Sequence, residues 1–197
     1  IRSKKPLEEA NSRLGWYIVL ATIPAGLGGI LLKSKVEAAF SSPVLTAVLL
    51  FVTAVILTLA EIFSRKQRNL ESITPKDAIV IGFSQLLAIF PGISRAGATI
   101  SGGLSRGLKR EAAARFSFLM SIPIMLAAGL LSVLDLVKIP DLGGFLPIIL
   151  VGFIVALVVG YLSIRWLLNF LKSRSLIPFA VYCAVVSVLT IFIAYFR

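Results

Sequence analysis

The chain contains no histidine, one cysteine and only nine acidic residues among 197. Each shortage removes a class of chemistry. Without histidine this sequence holds no His-ligated metal, no Ser–His or Cys–His nucleophile pair and no phosphohistidine intermediate. The one thiol, Cys183, lies inside an apolar block. It has no partner for a disulfide or a metal site, which leaves it a small core or lipid-facing residue. The carboxylates are scattered, and no pair is spaced as a metal site would need, so no metal ligand is assigned within the chain. Charge of either sign is scarce at 15%, against about a quarter in soluble domains.

What the chain has in excess is apolar surface. Hydrophobic residues make up 58% and the mean hydropathy is +0.98. They gather in uncharged blocks at 14–32, 38–60, 116–134, 142–164 and 175–196, each of roughly 19 to 23 residues. A bilayer core of ~30 Å takes about 20 helical residues at ~1.5 Å each. Only a helix satisfies its own backbone hydrogen bonds in such a segment. The expectation is an all-α integral membrane protein with five spanning helices, forming one polytopic domain over 1–197. A net charge of +11 would suggest nucleic acid for a soluble protein. Here the basic residues fall between the blocks, where cytoplasmic loops collect Lys and Arg, so solvated loop charge is expected and nucleic acid is not. The sequence opens on Ile1 with a charged stretch, 1–13, that has no signal-peptide layout. It reads as though a preceding segment has been removed.

Counting Lys and Arg between blocks orients the chain. The leading segment carries Arg2, Lys4, Lys5 and Arg13; the next loop has Lys33 and Lys35; the third has Arg65, Lys66, Arg68 and Lys76. The loop after Leu134 has only Lys138 against Asp135 and Asp141, both expected to be solvated, and the last has Lys172 and Arg174. The leading segment and the loops near Arg65 and Lys172 belong inside. For that alternation to hold, residues 77–108 must not cross. Both of their ends are basic, the second through Arg106, Lys109, Arg110 and Arg115. An apolar stretch, 78–94, breaks at Pro91-Gly92, and a Gly- and Ser-rich helix near 98–107 follows. The pair reads as a re-entrant helical hairpin at about 77–108, its tip at membrane depth. One kinked spanning helix is the alternative. Non-helical backbone at that depth is tolerated only when buried in protein or lining a cavity.

The tip holds the chemistry. Arg95 is the only charge between Asp77 and Arg106. An arginine at membrane depth costs at least ~2.5 kcal/mol on insertion scales, so it calls for an anion or a wet cavity, unless it snorkels to the interface. Ser94 is placed to cap the following helix, and Gly92 and Gly97 allow backbone to approach a ligand. Free N–H groups at a helix N-terminus, with its positive dipole end, form an anion site. Arginine adds a planar fork for two phosphate oxygens. Thr99 and Ser101 supply hydroxyls. Gln85 lies mid-helix in the hairpin, where it either bonds a neighbouring helix or reaches a ligand. Gly97, Ser101 and Ser105 form a small-residue face suited to close packing. Glu61 ends a span four residues before Arg65 and is expected to form an interfacial ion pair. A phosphate cradle serves hydrolysis and carriage alike, and both stay open on these grounds.

Three runs make the chain recognisable: Gly82-Phe83-Ser84-Gln85, then Pro91-Gly92-Ile93-Ser94-Arg95-Ala96-Gly97-Ala98-Thr99-Ile100-Ser101-Gly102-Gly103, then Phe116-Ser117-Phe118-Leu119. Together they resemble the second signature region of the undecaprenyl-pyrophosphate phosphatases, the bacitracin-resistance family. Ile177-Pro178-Phe179-Ala180 is similar to that family's last helix. The resemblance covers essentially the whole chain. It implies removal of the terminal phosphate from undecaprenyl pyrophosphate, which returns the monophosphate carrier to peptidoglycan synthesis and confers bacitracin resistance. It also implies two inverted-topology repeats in the bacterial inner membrane, of which this chain would be the C-terminal part. By position Arg95, Ser94 and Thr99 match the family's catalytic motif, with Gly92, Gly97, Ser101 and Gln85 as substrate-binding companions.

Two departures stand out. Ala96 replaces a common second serine, and the first signature, a glutamate pair followed by a histidine, is absent. A divalent cation, Mg²⁺ or Ca²⁺, is expected, with its ligands and the nucleophile in the missing N-terminal segment. The expected partners are the polyprenyl pyrophosphate lipid, membrane lipids and a second copy of the chain. The rival readings are a polyprenyl-phosphate translocase and an inactive truncated fragment.

Overall fold

The protein is seen here in a computed structural model that describes residues 10–136, 138 and 142–196. Every regular element among them is helical: α1 (Ala10–Leu31), α2 (Lys33–Phe40), α3 (Pro43–Phe63), α4 (Pro75–Leu87), α5 (Arg95–Ser105), α6 (Arg110–Leu136), α7 (Leu142–Ser173) and α8 (Ile177–Tyr195), with one 3₁₀ turn at Leu70–Ser72. Five helices, α1, α3, α6, α7 and α8, are long and apolar enough to cross a membrane. They carry Phe, Leu, Ile and Val outward along their length, as in Phe51, Leu126, Phe153 and Val188. Lipid rather than water is the solvent for such a surface. The all-helical membrane class and the five spans hold. Arg2, Lys4, Lys5, Asp141 and the side chain of Asp135 lie outside the described residues.

The boundaries differ from the expected ones for local reasons. The block 38–60 begins with the end of a separate short helix, α2, and α3 starts only at Pro43. Ser42 caps it by accepting from the Leu45 N–H at 3.2 Å, and proline suits the first helical position. At its other end α3 runs past the uncharged block to Phe63 and so includes Glu61. Similarly α7 continues through Arg165 to Ser173. An uncharged-block search stops at a charge, whereas a helix need not.

Two short helices, α4 and α5, replace the expected 78–94 and 98–107. The first begins earlier, because Thr74 and Asp77 form a reciprocal capping box around Pro75. It also ends earlier, at Leu87. The last N–H groups tighten onto carbonyls three residues back, Ala88 to Gln85 and Ile89 to Leu86, ahead of Pro91, which disfavours helix in the residue before it. The second helix starts three residues sooner because Ser94 caps it.

Small residues set the packing. Helix α5 is buried over Gly97–Leu104 between α3, α4 and α6. A Cβ on Gly103 would lie 2.8 Å from that of Ala113 on α6. One on Gly82 of α4 would meet the Ala21 carbonyl of α1 at 2.6 Å. Close backbone approach of this kind holds helices together where lipid offers no hydrophobic drive. The small face 97/101/105 is realised only in part. Gly97 and Ser101 are buried, but Ser105 is exposed, its hydroxyl donating to its own helix at Gly102 O, 2.7 Å.

The base of the α4–α5 hairpin is a closed polar knot. Asp77 is fully buried. It accepts from Arg68 at 2.7 and 3.2 Å, from Arg106 Nε at 2.8 Å, and from the Thr74 N–H and hydroxyl at 2.9 and 2.8 Å. Burial pushes the Asp77 carboxyl up, but the hydrogen bonds from Arg68, Arg106 and Thr74 outweigh it and hold the group well below the ordinary aspartate range. Glu61 forms a second knot, accepting from Lys66 at 2.7 Å, Arg110 and the Leu176 N–H at 3.2 Å. It therefore ties the ends of α3, α6 and α8 together.

Two expectations are corrected here. Glu61 pairs with Lys66 and Arg110 rather than with Arg65. Arg68, Arg106, Lys66 and Arg110 are fastened to buried carboxylates and are not simply solvated loop charge. Cys183 is buried, as a core residue.

Candidate phosphate site

The far end of the hairpin, residues 88–94, is a turn held against α3. Gly92 sits at φ +91°, in the left-handed region that glycine enters freely. It lies so close to the Thr46 carbonyl that no side chain would fit. Thr53, buried on α3, reaches into the turn twice. Its hydroxyl lies 3.1 Å from the Gly92 carbonyl and 3.1 Å from the Ser94 N–H, donating to the first and accepting from the second. Gly97 packs on the same threonine: a Cβ there would be 3.2 Å from Thr53 Cγ2. These contacts fix where α5 begins.

That beginning is capped but not closed. The Ser94 hydroxyl accepts from the Gly97 N–H at 3.1 Å, and the Ala98 N–H donates to the Ser94 carbonyl at 2.8 Å. The N–H groups of Arg95 and Ala96 have no acceptor among the described residues. They form the open, positive end of the helix. Arg95 stands on this rim with Nη1 buried and without a partner.

The other candidates divide into two kinds. Thr99 is committed to the fold: its hydroxyl donates to the Arg95 carbonyl at 2.8 Å and meets Ser117 Oγ of α6 at 2.6 Å, both residues buried. Gln85 and Ser101 are the reverse. Gln85 is 2% exposed with neither amide atom bonded, and Ser101 is 4% exposed with a free hydroxyl. The bond from Gln85 to a neighbouring helix is therefore not made. Leaving a buried polar group unpaired costs about 1–3 kcal/mol. Among the described residues, the buried side-chain nitrogens and oxygens without a partner belong to Gln85, Arg95 and Ser101 alone. All three lie on the two helices of this hairpin. The carbonyl of Gln85 accepts, while its amide, the guanidinium and the hydroxyl donate. That set suits a ligand bearing several anionic oxygens, one of them protonated or bridged by water.

Thr53 carries no sequence signal of its role, being one of three threonines in the apolar block 38–60. Its function appears only when the turn, some forty residues later, is brought against it. No group of three or more His, Cys, Asp and Glu that could hold a metal occurs among the described residues.

A multi-span helical membrane protein with an open helix N-terminus and unpartnered polar groups on a short helical hairpin is the class that this geometry defines. The family model described as "Bacitracin resistance protein BacA" matches residues 1–189, and the chain belongs to that family. Over 184 residues it is 42% identical to the undecaprenyl-diphosphatase of Methanosphaera stadtmanae, covering 93% of this chain and 66% of that protein. It is 41% identical to the undecaprenyl-diphosphatase of Mycolicibacterium smegmatis over 185 residues, covering 93% and 67%. Against that of Corynebacterium striatum it is 45% identical over 172 residues, covering 86% and 61%. The chain thus spans about two thirds of the length of these relatives.

Proposed function

We propose that this chain forms the phosphate-binding part of a membrane-embedded undecaprenyl-diphosphatase, which hydrolyses undecaprenyl diphosphate to undecaprenyl phosphate and inorganic phosphate. The observation that carries the reading is the half-buried Arg95 at the open end of α5, whose buried Nη1 has no partner. The relatives' activity supports it. The hairpin is re-entrant on this reading. Its helices of 13 and 11 residues extend only about 20 and 16 Å, short of a ~30 Å core, and both bases are basic. The chain would be the C-terminal part of an inverted-repeat architecture in the cell membrane, and product release would return the lipid carrier to envelope synthesis. The lipid substrate, surrounding lipids and a second copy of the chain are its partners. Helix α7 is exposed along its whole apolar stretch and is available to the last two.

Hydrolysis breaks the bond between the terminal phosphorus and the bridging oxygen, and negative charge shifts onto the leaving phosphate. Arg95 binds two diphosphate oxygens and neutralises that charge, with no reorganisation needed at the moment of reaction. The N–H groups of Arg95 and Ala96 add fixed dipoles to the same oxygens. Ser101 donates and Gln85 both donates and accepts at the remaining oxygens. Ser94 and Thr99 are positioning residues, the first capping α5 and the second locking it to α6. Thr99 thus leaves the set of groups that touch substrate. The attacking group is assigned to no residue of this chain. The described residues do not fit a divalent cation, which would need ligands from outside them.

Phosphate release from undecaprenyl diphosphate in detergent, with Mg²⁺ or Ca²⁺, tests the reading when run beside Arg95→Ala. The variant should be about 10²–10³-fold slower, the loss typical of one charge-stabilising donor, with an unchanged melting temperature. Where the chain alone releases no phosphate, substrate binding should still depend on Arg95. Near-native turnover or binding by the variant would defeat the proposal. Carrier flux without phosphate release would point instead to translocation.

A further inference from the structure

The Asp77 knot has an outer side. Between the end of α3 and the end of α5 lies a cavity of about 370 Å³, lined by Arg65, Arg68, Arg106, Gln67, Ser105 and Phe63 among others. Its walls are fastened in place. Gly107, at φ +78°, turns its carbonyl to accept from the Gln67 and Arg68 N–H groups at 3.0 and 2.9 Å. The Lys109 N–H returns a bond to the Arg68 carbonyl at 2.8 Å, and Ser64 Oγ donates to the Leu104 carbonyl at 2.6 Å. No carboxylate lines the cavity. Three arginines face it, and the one acid behind them, Asp77, engages Arg68 and only Nε of Arg106. Both terminal nitrogens of Arg106 and the whole guanidinium of Arg65 have no ion-pair or hydrogen-bond partner among the described residues. The cavity therefore carries two uncompensated positive charges.

Its position says what kind of anion would come. Phe63, the last residue of the spanning helix α3, is 77% exposed and forms part of the rim, with exposed Ile62 beside it. Arg65 follows two residues later, at the level where a lipid's phosphate lies once its chains run down an apolar helix. Basic pockets at helix ends on the membrane surface take acidic headgroups for this reason. We propose that this cavity is a binding site for the phosphate of an anionic membrane phospholipid, separate from the cradle at the hairpin tip. Arg65 and Arg106 hold the phosphate, while Ile62 and Phe63 contact the first part of the acyl chains. A lipid bound there would bridge the ends of α3 and α5 and brace the hairpin from its base.

The purified chain in neutral detergent, titrated with short-chain phosphatidylglycerol and followed by native mass spectrometry and thermal melting, tests the site. Arg65→Gln removes a charge from an exposed side chain that bonds nothing, so the fold should survive, as the melting curve without lipid will report. It should weaken phosphatidylglycerol binding about fivefold, the worth of one basic residue at an anionic surface. Lys172→Gln, the same charge change in the last turn of α7, should leave binding unchanged. Equal weakening by both variants, or by neither, overturns the proposal. Inorganic phosphate or glycerol 3-phosphate displacing the lipid at equal concentration would also overturn it, by assigning the cavity to a free phosphate.

Discussion

The two ends of the α4–α5 hairpin handle buried polarity in opposite ways. At the base, the Asp77 carboxylate lies at zero exposure with both oxygens saturated by Arg68, Arg106 and Thr74. Away from the base, Arg95 at the start of α5, Gln85 in α4 and Ser101 farther along α5 are buried or partly buried with polar atoms that have no partner among the described residues. The same two short helices carry both. A fold that pairs every buried group at one end, and leaves them unpaired at the other, supports the proposed reading in which the unpaired groups meet a ligand. The base holds the helices in register, and the tip uses that register.

The comparison breaks most easily at the base. Replacing Asp77 by Ala removes the shared partner of Arg68 and Arg106, whose side chains are 32% and 39% exposed, so water screens the charges left behind and the cost is the lost charge-assisted hydrogen bonds, about 1–3 kcal/mol. Detergent-resistant helicity during denaturant titration should fall by that amount. Arg95→Ala at the tip should leave the same measurement unchanged. If Asp77→Ala is as stable as the parent, the knot is not what holds the hairpin.

Acid sharpens the same contrast. The folded carboxyl of Asp77 is held below its unfolded value. Its stabilisation is therefore fully present above about pH 4, near the unfolded aspartate value, and is lost as pH falls from there through the folded value. Thermal melts between about pH 6 and 3 should show the onset of this loss, and Asp77→Asn should flatten it. Equal acid sensitivity in the variant would assign the loss to other carboxylates, Glu61 foremost.

At the tip the expected sign reverses. Gln85→Leu keeps the side-chain volume and removes two unpaired polar atoms, so the chain should become more stable by about 1–3 kcal/mol. Affinity for undecaprenyl diphosphate should fall in the same variant. A stability loss would mean that the amide is satisfied after all, and Gln85 would leave the site.

Much of this contrast was legible in the residues, and the illegible part has a physical cause. Spans depend on length and apolarity, which a sequence states directly, so the five crossing helices were readable. Arg95 was readable because one charge inside an uncharged stretch needs a reason. The capping box Thr74-Pro75-Lys76-Asp77 is also legible in the spacing, and it begins α4 at Pro75. The long-range pairs were hidden. Arg106 lies 29 residues from Asp77, and Arg110 lies 49 from Glu61. Loop arginines that fold back onto a buried acid look the same in sequence as arginines in water. Thr99 and Ser101 sit two residues apart on one helix, yet only the first meets partners, the Arg95 carbonyl of its own helix and Ser117 of α6.

The smallest expected effect tests how the two ends are connected. Thr53→Val keeps the shape of a buried side chain and removes the hydroxyl that bonds the Gly92 carbonyl and the Ser94 N–H. Gly92 and Ser94 are only half-buried, so water can take over part of both bonds, and stability should fall by only about 1 kcal/mol. The turn would then be free to shift relative to α3, and Arg95 begins the helix that follows it. Displacement of a charge-positioning group by even a fraction of an ångström acts on the transition state more than on binding, because the required alignment is narrower there. Phosphate release should therefore slow about tenfold while substrate affinity stays near that of the parent. A drop in affinity with turnover unchanged would mean that Thr53 acts on the ligand and not through the turn. No change in either would mean that Ser94 and Gly92 alone are enough to set Arg95 in place.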